Sequence, residues 1–132
     1  MVELTKKQFT YKGKTIEELK KLDVREFANL VRSRQRRNIL RNFQVLEEFI
    51  NRSKEKLEKN KPVKTHARDL VVVPEMVGWR IFIYNGNKFM PVIIMGEMLG
   101  HMLGEFAPTR GRIKHSKSGV GATKGSKHKS KK

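Results

Sequence analysis

Arg32-Ser33-Arg34-Gln35-Arg36-Arg37 places four guanidinium groups within six residues, with no acid among them. A guanidinium is a planar fork that fits phosphate oxygens and also stacks on bases, so the cluster points to phosphate contact. The competing reading is a solvated helix end whose cations complement the C-terminal dipole, but four arginines exceed what a dipole needs. A second cationic group closes the chain. Arg110, Arg112, Lys114, Lys117, Lys124, Lys127, Lys129, Lys131 and Lys132 are spaced largely by glycine and serine, and no Asp or Glu follows Thr109. Each phosphate neutralised by such residues releases counterions and adds affinity without sequence preference. A solubilising tail is the plainer alternative. Length and lack of acids favour RNA or DNA, without telling the two apart.

Catalytic chemistry has no comparable support. His66, His101 and His115 offer no pair at ligand spacing on one element, and there is no cysteine, which excludes disulfides and thiolate metal sites. No paired carboxylates or Ser/His/Asp pattern emerges. Glu105 reads as structural rather than as a base, and His101 as packed or RNA-facing. Gly96, Gly100 and Gly104 are spaced by four but lack the GK[ST] ending of a phosphate loop. No enzyme, cofactor or metal is expected.

Charge distribution locates the folded part. The chain has 132 residues and a net charge of +17, enough for one domain plus appendages. The near-neutral middle, residues 61–108, should hold most of the apolar core, because the excess charge lies on either side of it. Such a chain repels itself and would be stabilised by a dense anionic partner. No apolar run approaches the ~18 residues of a membrane span. The start, Met1-Val2-Glu3-Leu4-Thr5-Lys6-Lys7, lacks a secretory core. A soluble intracellular protein without a membrane partner is expected.

The elements that must position these groups follow from periodicity. The first half reads helical. Thr15-Ile16-Glu17-Glu18 and Asp23-Val24-Arg25-Glu26 have capping-box spacing. Val24, Phe27, Leu30 and Val31 form one stripe, and the same helix is expected to run on into the arginine cluster. Phe43, Leu46, Phe49, Ile50 and Leu57 share a face of a further helix over 43–57, and Phe27 and Phe43 suggest a helical hairpin. Pro62 closes this region. Leu70-Val71-Val72-Val73 is either a strand or a buried extended loop. Strands are expected over 79–84 and 88–94, with Asn85-Gly86 between them in a type I′ turn. Pro91 makes the second an edge strand. A short helix over 97–103 should bury Met98, Leu99, Met102 and Leu103 and stop at Gly104. The segment beyond Gly111 cannot bury enough apolar area to fold alone and is expected to be disordered.

Several of these residues also recur together in a known family. Lys64-Thr65-His66, Pro74-Glu75-Met76-Val77-Gly78, Tyr84-Asn85-Gly86, Gly100-His101-Met102-Leu103-Gly104-Glu105-Phe106 and Thr109-Arg110 resemble, in order and spacing, small-subunit ribosomal protein family nineteen. The resemblance covers roughly residues 62–116 against bacterial members. It extends over nearly the whole chain against archaeal and eukaryotic ones, through Phe9-Thr10-Tyr11, Ser33-Arg34-Gln35-Arg36-Arg37 and Gly119-Val120-Gly121-Ala122-Thr123. It implies an α+β fold: a small mixed sheet of three strands with short helices, preceded by a helical N-terminal extension and followed by a basic disordered tail. The corresponding segments are 1–61, 62–110 and 111–132. It further implies a cytoplasmic structural component of the small ribosomal subunit head, bound to the 3′ major domain of small-subunit ribosomal RNA. The neighbour would be the protein of family thirteen, and the tail would reach toward the tRNA sites. The bacterial Trp-Ser-Arg-Arg is here His66-Ala67-Arg68-Asp69, so only Arg68 inherits a phosphate role there. The expected RNA-binding set is Arg32, Arg34, Arg36, Arg37, Lys64, Arg68, Lys88, His101, Arg110, Arg112, Lys114, His115, Lys117 and Lys124. A free nucleic-acid-binding regulator or chaperone is the alternative.

Overall fold

The computed structural model describes residues 8–113, Gly119 and residues 124–128. The chain opens on a two-stranded hairpin that the helical reading of the first half does not anticipate. β1 (Thr10–Tyr11) pairs antiparallel with β2 (Lys14–Thr15), Tyr11 facing Lys14. Lys12 and Gly13 between them both have positive φ, 51° and 79°, as a type I′ turn requires. α1 (Ile16–Lys20) follows at once. Thr15 Oγ1 accepts from the Glu18 N–H at 3.4 Å, and the Glu18 carboxylate accepts from the Thr15 N–H at 2.9 Å, the reciprocal cap that the sequence suggests. In α2 (Val24–Ala28) the Glu26 carboxylate returns to the Asp23 N–H at 3.3 Å.

The arginine-rich segment is not a continuation of α2. The helix ends at Ala28, Leu30 closes a tight turn onto the Phe27 carbonyl, and Arg32 is extended (φ −64°, ψ 155°). Arg32 is thereby the N-cap of a separate helix, α3 (Ser33–Arg41). The break lets Val31 turn inward beside Gly100 while the arginines face out. Asn42 alone joins α3 to α4 (Phe43–Glu58), where Leu46 and Ile50 are buried and Phe43, Phe49 and Leu57 pack at the margin. Phe27 and Phe43 make no ring contact. Phe27 packs on Tyr11, and Phe43 lies under the Arg25 guanidinium, 4.4 Å from its ring centre.

The second half forms a mixed three-stranded sheet in the order β3-β4-β5. β3 (Val63–Thr65) runs parallel to β4 (Arg80–Tyr84), with Val63 opposite Ile81. β4 is antiparallel to β5 (Phe89–Ile93), with Tyr84 opposite Phe89. β5 is the edge strand, which accommodates Pro91 without a lost ladder donor. Val63, Thr65, Ile81 and Ile83 point into the core. Leu70 to Val73 are each at most 1% exposed and run extended beneath residues 100–104. Val72 donates to the His101 carbonyl at 2.8 Å and accepts from the Gly100 N–H at 3.1 Å. Both faces of this run are covered, so it shows no alternation of apolar and polar residues.

Those same bonds explain why no helix forms over 97–103. The backbone groups that a helix would use internally are given to the 70–73 run. The chain instead makes two 3-10 turns, Gly96–Met98 and Leu103–Phe106, with Gly100 at φ +77° between them and Gly104 inside the second rather than at a helix stop. One apolar cluster unites the whole, taking Leu19 and Phe27 from the first half together with Met76, Ile83 and Leu103 from the second.

The β4–β5 turn also departs from the type I′ expectation. Asn85 N–H donates to the Lys88 carbonyl at 3.1 Å, so Gly86 and Asn87 are the central pair, and only Gly86 has positive φ, +95°. That sign pattern belongs to a type II′ turn. Asn85 acts through its side chain, whose Oδ1 accepts from Asn87 and Lys88 at 3.1 and 2.8 Å. Gly86→Val should therefore still lower stability by about 1–3 kcal/mol, because a β-branched residue is forced to positive φ. An unchanged thermal midpoint would contradict it.

Candidate nucleic-acid interface

α3 carries the densest charge. Arg32, Arg34, Arg36, Arg37 and Arg41 are all exposed, Ile39 alone of the helix is buried, and among the described residues no ion pair engages these arginines. Their position bears on the dipole reading of the cluster. Arg32 and Arg34 lie at the start of α3, whose first turn holds no acid, Arg36 and Arg37 lie in its middle, and Arg41 alone is in its last turn. Cations at Arg32 and Arg34 oppose the macrodipole, so the dipole gives no reason for them.

Around this helix the two halves of the chain meet. Arg34 and Arg37 line a groove with Met102, and Arg32 lines a polar cleft of about 440 Å³ with Tyr11, Glu97 and His101. The Tyr11 hydroxyl sits where a Cβ on Gly100 would be only 3.0 Å away. Burial raises the Tyr11 pKa above its ordinary value, against the opposing pull of Arg32. The exposed His101 pairs through Nδ1 with Glu105 at 2.8 Å, while the other Glu105 oxygen accepts from the Met102 N–H at 3.3 Å. Glu105 is thus a cap that holds the histidine, in keeping with a structural role.

The other expected residues fall into three groups. Lys64 projects from the outer face of the sheet, its Nζ 5.4 Å from the Phe89 ring centre, and Lys88 is exposed at the hairpin end. Arg110 and Arg112 are exposed, as is Lys124 at the head of a 3-10 turn, Lys124–Ser126. Lys114, His115 and Lys117, with most of the tail expected to be disordered, lie outside the described residues.

Arg68 requires a correction. The expectation that it contacts phosphate meets a guanidinium already directed inward. Nη1 donates to the Tyr84 carbonyl at 2.7 Å, and Nη2 donates to the carbonyls of Gly104 and Ala107 at 2.8 and 2.7 Å. Arg68 ties the end of β4 to the Leu103–Phe106 turn. Gly104 lets the backbones come close at this joint, since a Cβ there would lie 3.0 Å from the Arg68 carbonyl oxygen. No sequence signal marked Arg68 as internal, because its three partners are carbonyls 16, 36 and 39 residues away.

A small α+β unit whose arginine helix meets no acid among the described residues, in a chain whose last residues are rich in lysine, presents a cationic surface that suits a polyanion. The chain belongs to the Ribosomal protein S19 family, whose model matches residues 32–115, well over half its length. It is accordingly a structural, RNA-binding component of the small ribosomal subunit in the cytoplasm, and not an enzyme. The match begins at the α3 N-cap and so takes in both long helices, not only the sheet.

Proposed function

We propose that the protein docks in the head of the small subunit on the 3′ major domain of the ribosomal RNA, beside the protein of family thirteen. Its tail then extends toward the tRNA sites. The observation that carries the docking mode is the exposed arginine row of α3, unpaired by any acid among the described residues, with Arg32 and Arg34 set against the helix dipole at its N-terminal end. An anion lying along α3 would relieve that opposition, and rigidly held guanidinium forks would meet one phosphate arrangement better than others. In this reading 1–61 is the helical extension, 62–110 the sheet unit and 111–132 the tail. Arg32, Arg34, Arg36, Arg37, His101 and Arg110 meet RNA around the folded unit, whereas Arg68 supports that unit from within.

The test is affinity of the full chain for a head-domain ribosomal RNA fragment and for a scrambled RNA of equal length, each over a salt series. The cognate fragment should bind at least about tenfold more tightly at every salt concentration, with both affinities falling as salt rises. Equal affinity for the two RNAs would favour a free, unselective nucleic-acid binder instead.

A further inference from the structure

The outer face of the three-stranded sheet has a distinctive chemistry. β-Strand alternation sends Val63, Thr65, Ile81 and Ile83 inward, so Lys64, Arg80, Phe82, Tyr84 and Phe89 stand on the opposite side. Just past β3, exposed His66 joins them. The His66 ring centre lies 4.6 Å from that of Tyr84 and 5.1 Å from that of Phe89, and Tyr84 and Phe89 are 5.1 Å apart. Cations stand over the rings: Lys64 Nζ is 5.4 Å from the Phe89 centre, and the Arg80 guanidinium is 5.4 Å from that of Phe82. No Asp or Glu occurs between residues 59 and 68 or between 76 and 96. His66 and Lys64 also wall a cleft of about 290 Å³ beside α4, where Arg52 and Lys56 add positive charge and Glu48 is paired to Arg52.

We propose that this face, centred on His66, Tyr84 and Phe89, is a stacking platform for unpaired RNA bases, with flanking phosphates held by Lys64 and the basic cleft. Half-buried rings offer a π-face to any base, and adjacent cations attract the backbone that carries it. A protein partner would also cover aromatic surface, but β3, β4 and β5 carry cations and no carboxylate, and Glu48 in the neighbouring cleft is paired to Arg52, so this face complements a polyanion better. The proposal rests on the RNA-binding reading above and adds what this second surface recognises.

The experiment titrates the full-length protein with a single-stranded adenosine heptamer and with an abasic ribose-phosphate strand of equal charge. Affinity and the ring-proton NMR signals of His66, Tyr84 and Phe89 are followed. The base-bearing strand should bind at least about tenfold more tightly, with ring protons shifting upfield. His66→Ala and Phe89→Leu should each remove most of that preference at unchanged melting temperature, and Phe89→Leu does so without touching a titratable group. If Phe89→Leu fails to fold, His66→Ala carries the test alone, since its side chain is exposed. Equal binding of both strands, or unshifted ring signals on binding, overturns the platform and leaves the electrostatic RNA reading intact. Variants that keep the base preference but fail to enter small subunits overturn it in favour of a protein contact. Failure to bind any strand would count against the RNA reading itself.

Discussion

Arg68→Met is expected to destabilise the fold by about 2–4 kcal/mol. Three carbonyl oxygens would lose charge-assisted donors at once, and part-buried acceptors left unmatched are costly. Arg68→Lys should recover only part of this, because one ammonium on a flexible stem cannot serve carbonyls on both β4 and the Leu103–Phe106 turn. Gly104→Ala should act through the same joint, pushing its Cβ against the Arg68 backbone at a cost of about 1–3 kcal/mol. Urea unfolding of the three variants measures all of these. A Met variant with the wild-type midpoint would show that the joint contributes nothing.

The second large effect lies in RNA affinity. Deleting residues 117–132 removes six lysines, so the slope of log affinity against log salt should fall by roughly four units. At low salt the loss should reach about a thousandfold, for cognate and unrelated RNA alike. Arg36→Ala with Arg37→Ala should change the slope by only about 1–2 units yet reduce the ratio of cognate to scrambled binding. The difference is geometric. A guanidinium fixed on α3 has one direction, whereas a lysine flanked by glycine and serine can meet any phosphate. If the tail deletion erases discrimination while the arginine pair leaves it untouched, the roles are reversed.

These contrasts show which parts of the molecule were readable from its residues. The caps at Thr15 and Asp23, α4, strands β4 and β5 and the edge position of Pro91 all depend on local spacing, and the structure agrees with each. The departures depend on distant partners. The 97–103 segment has a helical pattern, but the 70–73 run takes its backbone hydrogen bonds. The arginine stretch is continuous in sequence with α2, yet Val31 turns inward to meet Gly100 and splits the two. The type I′ turn sits at Lys12-Gly13, where a lysine at positive φ gives little warning, and not at Asn85-Gly86. At the interface, the charge of α3 was plain in the sequence. The inward aim of Arg68 and the gathering of His66, Tyr84 and Phe89 into one cluster needed the sheet register.

The most direct test of the central claim is RNA–protein cross-linking on assembled small subunits, mapped to peptide and nucleotide. The peptide bearing Arg34, Arg36 and Arg37 should cross-link to the 3′ major domain of the ribosomal RNA, in particles that sediment as small subunits. Subunits that contain the protein but yield no cross-link from α3, with cross-links confined to the tail, would contradict the account.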